Sequence, residues 1–138
     1  MKVEGLRSPQ VKVVGLYHFG CMIDKIRLYC IGNLPDEYFR GSAVGLDGYL
    51  YSLLEIRYDE LQERVKSGSN DKETLEWCCD NGHKPNKIQV RVQNGFVSKM
   101  GWKDPFSTFV NHVKSQAGIE DINEIVTLFE LIALDEDS

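Results

Sequence analysis

The chain has 138 residues, 42% of them apolar and 27% charged, with a formal net charge of −5. That length fits one domain whose core needs no metal or disulfide staple, and the acidic balance argues against a general nucleic-acid binder. No apolar run reaches the ~18 residues of a membrane span, and Met1 to Gln10 lacks the apolar stretch of a signal peptide, so neither is expected.

Met1 to Gln10 reads as an extended arm, with Pro9 biasing Ser8 away from helical angles. Val11 to Val14 fits a short strand, a loop or an early helical turn. Leu16 to Ile31 then reads as a helix that is apolar almost all the way round. At about 100° per residue, Phe19, Met22, Ile23, Ile26, Tyr29 and Cys30 form a wide stripe. Cys21, Leu28 and Ile31 lie opposite, too oily for a solvent face. Such a helix belongs at the centre of a bundle, and it draws Asp24, Lys25 and Arg27 inward with it. Gly32 is a natural left-handed terminator.

Asn33 to Gly45 is a glycine-rich connection with Tyr38 and Phe39 at its centre, long enough to be functional. Asp47 is placed to cap a short helix running through Glu55. Asp59 with Gln62 opens the next, which ends at Gly68, and Asn70 with Glu73 opens one that stops at Gly82. Ile88 to Val97 is a conflict. It alternates and contains Asn94-Gly95, a strong hairpin signal, yet Ile88, Val92, Phe96 and Met100 recur at helical spacing. On pattern alone the hairpin has the edge. Asp104-Pro105 opens a helix striped by Phe106, Phe109, Val110 and Val113 and closed by Gly118. Asp121 with Glu124 caps the last, striped by Ile122, Ile125, Val126, Phe129 and Ile132. Asp135 to Ser138 is a frayed acidic tail.

Leu6-Arg7-Ser8-Pro9, Gly15-Leu16, Met22-Ile23-Asp24-Lys25-Ile26-Arg27, Gly32, Leu34-Pro35 and Tyr38 resemble domain-of-unknown-function family 5069. The likeness continues through Leu46-Asp47, Trp77, Asn94 and Gly101-Trp102-Lys103-Asp104 to Leu134-Asp135-Glu136, so it covers nearly the whole chain. Its most specific part is Ile-Asp-Lys-Ile-Arg. The family is similar to small bacterial helical domains and has no assigned activity. The resemblance implies that Asn94 lies in a helix, which decides the conflict in favour of helix. It also implies that Arg7, Tyr38 and Asp47 lie near the charged trio. Cys21 stands where the family pattern often has an arginine, which removes that cation from any anion site.

The expected fold is therefore all-α, a single domain of about six or seven helices around the apolar amino-terminal one. Asp24, Lys25 and Arg27, with Arg7, Tyr38 and Asp47, form the candidate ligand-binding set. Asp24 and Arg27 are three apart and can meet on one helix face, whereas Lys25 points about 100° away and needs a carboxylate from elsewhere. The plainer alternative is a buried ion-pair network that fixes packing.

No metal or other cofactor is expected. His18 and Cys21 are suggestively spaced, but nothing supplies a second pair of zinc ligands. Cys21, Cys30, Cys78 and Cys79 read as free buried thiols in a reducing cytoplasm, so a cytoplasmic protein is expected. Cys21 lies one turn before Lys25, but no histidine is placed as its base.

From Gly82 to Lys103 there is no acidic residue, against five lysines and arginines. Such a block is a solvated face or the mark of an anionic partner. The leading expectation is a non-catalytic binding or interaction module for a small anionic ligand or a protein partner. The rivals are a small enzyme with Asp24 and Lys25 as acid–base pair, and a structural domain self-associating through the basic block and the acidic carboxy-terminal helix.

Overall fold

The computed structural model describes residues 3–119 and 127–137. They form seven helices and no strand, so the chain is all-α as expected. The helices are α1 (Phe19–Cys30), α2 (Leu46–Leu53), α3 (Tyr58–Lys66), α4 (Asp71–Asn81), α5 (Lys87–Lys99), α6 (Ser107–Gln116) and α7 (Leu128–Asp137). Two compact units are distinguished: Gly5–Asn94, and Met1–Glu4 with Gly95–Ser138. No helix among the described residues is long and apolar enough to cross a membrane.

In the Gly5–Asn94 unit, α1 packs on α3 and α3 on α4. Phe19, Met22, Ile23 and Ile26 of α1 are completely buried with Leu50, Leu54, Leu61 and Cys78 in one cluster. Helix α1 is buried nearly all round over Phe19 to Ile26, as its composition requires. Its last turn differs. Tyr29 is 48% and Ile31 67% exposed, and Cys30 is exposed too. Two of the four thiols, Cys21 and Cys78, are buried as expected, while Cys79 is partly so.

The helix starts later than the apolar run suggests. Val13 and Leu16 pair in an isolated antiparallel bridge, and His18 takes a left-handed conformation (φ 68°), so helical geometry begins at Phe19. Its end is as read, with Gly32 at φ 76° and the Asn33 amide donating to the Leu28 carbonyl at 2.8 Å.

Two expected caps are corrected. Asp47 sits inside the first turn of α2 rather than before it, and the helix ends at Leu53 instead of Glu55. Asp59 likewise follows the N-cap Arg57, and neither α2 nor α3 has a side-chain cap. The capping box of α4 is present, with the Asn70 side chain accepting from the Glu73 amide and Glu73 accepting from the Asn70 amide. Asn86 and Gln89 make the same reciprocal pair ahead of α5, at 2.8 and 2.9 Å. That pair starts a helix where alternation favoured a hairpin.

In the other unit α6 packs on α7, with Val110 and Leu131 buried between half-buried Val113, Ile119 and Leu128. The cap expected at Asp104 is corrected too: α6 begins at Ser107 with Phe106 as N-cap and no side-chain cap, and Asp104 instead accepts from the Gly101 and Phe106 amides in the turn before it. Phe109 is 45% exposed, so only Val110 of the expected stripe is fully buried. Thr127 and Glu130 cap α7 reciprocally. The expected cap at Asp121 and Glu124, and Ile122, Ile125 and Val126, lie outside the described residues.

Candidate functional site

Asp24 and Lys25 are neighbours on α1, and the helix sends them to separate charge clusters. Asp24 belongs to a half-exposed one. The Arg7 backbone amide donates to its Oδ2 at 2.9 Å, Arg7 Nε donates to the same oxygen at 2.8 Å, and Nη2 reaches Oδ1 at 3.1 Å. The other edge of that guanidinium holds Asp71 of α4, at 2.8 and 3.1 Å. Arg27, three residues along the helix, lies 3.4 Å from Asp24 and 3.2 Å from Asp71, and donates to the Ser69 carbonyl at 3.1 Å. Two arginines thus face two carboxylates. Asp71 and then Asp24 raise the Arg7 pKa, and Arg7 in turn lowers that of Asp71. Both Val13 and Arg7 pack close on the bare backbone of Gly20, where a Cβ would lie 2.6 Å from Val13 Cγ2 and 2.9 Å from Arg7 Cζ.

Lys25 belongs to a buried cluster. Its ammonium lies 2.9 Å from each oxygen of the Asp47 carboxylate and donates to the Phe39 carbonyl at 2.9 Å. Asp47 Oδ1 also lies 2.6 Å from His18 Nε2, and Oδ2 accepts from the Gly41 amide at 2.8 Å. His18, Lys25 and Asp47 expose 3%, 7% and 3% of their surface. Burial alone would raise the Asp47 pKa. The bond from His18 and the charge of Lys25 outweigh it, so the carboxyl titrates well below the usual range. For His18, burial dominates and depresses the pKa, which keeps the ring neutral. A neutral ring facing a carboxylate through Nε2 carries its proton there. Nδ1 is then an acceptor, buried without a partner.

These buried charges grip the connection between α1 and α2. Lys25 holds the carbonyl of Phe39 and Asp47 the amide of Gly41, while Tyr51 Oη donates to the Gly41 carbonyl at 3.3 Å. Arg40 between them stacks on the Tyr29 ring at 3.5 Å and is hydrogen-bonded to Gln62. Gly48 admits the loop against α2, since a Cβ there would lie 2.3 Å from the Ala43 carbonyl oxygen. Held from beneath at successive residues, the loop turns Phe39 (76% exposed) and Val44 (75% exposed) outward.

The structure therefore brings Arg7, Asp24 and Arg27 together, and Lys25 and Asp47 together, as two sets instead of one. Tyr38 lies half-buried in the loop, its amide donating to the Pro35 carbonyl at 3.1 Å. Sequence reasoning missed His18 as a partner of Asp47, and Asp71 and Ser69 altogether. The only signal for His18 was its place at the head of an oily helix. Among the described residues Asp24 and Lys25 have no partner in common. Burial pushes the Cys78 thiol up to about 12 and raises Cys79 as well, the wrong direction for a nucleophile. Among the described residues no group of three or more His, Cys, Asp or Glu is placed to hold a metal. An open cleft of about 640 Å³ lies apart from both clusters, lined by Asp59, Glu60, Gln62, Glu63, Arg64 and Trp77.

Residues 3–138 match the family described as Domain of unknown function (DUF5069). No curated protein matches the chain.

Proposed function

We propose that this chain, which belongs to the DUF5069 family, is a non-catalytic protein-interaction module whose recognition element is the Asn33 to Gly45 loop. The observation that carries the reading is the outward Phe39 on a backbone gripped by Lys25 and Asp47. A large apolar side chain left in water costs solvation free energy, and a loop already fixed loses little entropy on docking. Aromatic anchors of this kind dominate binding energy at protein interfaces. Asp36 and Glu37, both exposed, supply a polar rim.

The small-anion version of the reading is less well supported. Arg7 and Arg27 are already divided between two carboxylates, and Lys25 is buried against a third. An anion would have to displace one of these. The enzyme reading has less behind it, since Asp24 and Lys25 are each taken up by a separate ion pair.

The test is site-specific photo-crosslinking from position 39, with exposed Phe109 as the control position. A protein captured at 39 and not at 109 is then purified and its affinity measured by calorimetry. Phe39→Ala is expected to weaken binding at least about tenfold, roughly 1.4 kcal/mol. Equal capture at both positions, or unchanged affinity, would overturn the reading. So would an anionic metabolite that raises the melting point of the wild type and not of Asp24→Asn.

A further inference from the structure

The Gly5–Asn94 unit carries a second outward face, independent of the loop, on the first two turns of α5. Lys87 and Arg91 are one turn apart and exposed, as are Ile88 (64%) and Val92 (65%), one position further round. A basic ridge thus runs beside an apolar ridge. Lys84, also exposed, extends the positive charge toward α4, and Gly82 to Asn94 contains no acidic residue to balance it. Against a chain of net charge −5, this is a local reversal of sign.

The same unit holds the complement. The cleft along α3 is bordered by Asp59, Glu60 and Glu63, all exposed, against the single cation Arg64, and its apolar wall is Trp77. Asp59 is paired with Arg57 at 3.2 Å on the surface, leaving Glu60 and Glu63 to set the charge. One face presents cations beside aliphatic side chains, and the other presents carboxylates beside an indole.

We infer that the α5 face of one copy docks on the cleft between α3 and Trp77 of a second copy, a head-to-tail self-association steered by charge. Two different patches meet, so the contact is heterologous and a pair of copies keeps one free face of each kind, the α5 face on one copy and the cleft on the other. Complementary charge speeds and orients such an encounter, and salt screens it.

The experiment is sedimentation velocity of the full chain over a wide concentration range, at ~50 mM and ~500 mM salt. The expected result is a mass that grows with concentration at low salt and returns to the monomer at high salt. Lys87→Glu with Arg91→Glu, and separately Glu60→Lys with Glu63→Lys, should each weaken association at least tenfold. All four positions are exposed, and circular dichroism verifies that each variant is folded. The chain carrying all four substitutions should associate again, because both partners have exchanged sign. A wild type that stays monomeric at low salt would overturn the inference, as would a fully swapped chain that stays monomeric. Phosphatidylserine vesicles supply the last arm. If a monomeric wild type binds them and the double variant at Lys87 and Arg91 does not, the α5 face serves a lipid surface and the inference fails.

Discussion

The two charge clusters on α1 start from adjacent residues and end in opposite physical regimes. Asp24 joins Arg7, Arg27 and Asp71 where the arginines keep about a third of their side-chain surface in water, at 33% and 36%. Lys25 joins Asp47 and His18 where almost none remains. In the first cluster water and salt can replace a partner lost by the arginines or Asp71, although Asp24 itself is buried. In the second nothing can, so each group depends on the others to offset the cost of its burial. A turn of about 100° per residue is enough to divide a helix's charges in this way.

The largest expected effect breaks the buried side. Asp47→Asn removes the counter-charge from Lys25 and leaves one acceptor oxygen where His18 and the Gly41 amide use two, and should cost about 3–5 kcal/mol in urea unfolding. Lys25→Met combined with Asp47→Leu should cost less than Asp47→Asn alone, because no charge is then left buried. A loss below about 1 kcal/mol for Asp47→Asn would mean that water reaches Lys25 and that the two clusters do not differ in kind.

The half-exposed side should respond more gently. Arg7→Gln removes side-chain bonds to Asp24 and Asp71 but keeps the backbone amide on Asp24. The expected loss is about 1–3 kcal/mol, moderated by solvent. Its signature is salt. The cost of Arg7→Gln should shrink between ~50 mM and ~500 mM salt, while that of Asp47→Asn stays nearly constant. Equal salt sensitivity would erase the distinction between the clusters.

The same contrast governs what the sequence disclosed. The Asp24–Arg27 pair is local, three residues on one helix, and spacing alone predicts it. That Lys25 needs a carboxylate from another element also follows from helix geometry. Which carboxylate does not follow. The family resemblance placed Asp47 nearby, whereas its local pattern suggested a cap, a role its burial and its bonds to His18 and Lys25 exclude. Asp71 stands 64 positions from Arg7, and Ser69 stands 42 from Arg27. No periodicity spans such distances, because tertiary packing creates those meetings. His18 escaped for another reason: the apolar run carries it inside the helix, whereas its left-handed backbone places it just before Phe19. The basic block behaved differently again. Composition alone marked it, and the structure added that Lys87, Arg91, Ile88 and Val92 are all exposed.

The smallest expected effect sharpens the comparison through protons. His18 has its pKa lowered in the fold, chiefly by burial, with the Lys25 charge acting in the same direction and Asp47 opposing. Between its ordinary value near ~6.5 and its folded value, the unfolded chain therefore holds a proton on this ring that the folded chain does not. Stability from this group is complete above about pH 6.5 and falls as pH drops, by up to about 1.4 kcal/mol per unit for one proton. Asp47 and Asp71, also lowered, add a second loss only below about pH 4. Urea midpoints from pH 8 to 5 should thus decline in the wild type. They should be flatter in His18→Asn, where the new side chain tolerates left-handed geometry and carries no titrating group. Parallel curves for the two proteins would mean that the ring takes up its proton inside the fold. Nδ1, the buried atom without a partner, would then be open to water.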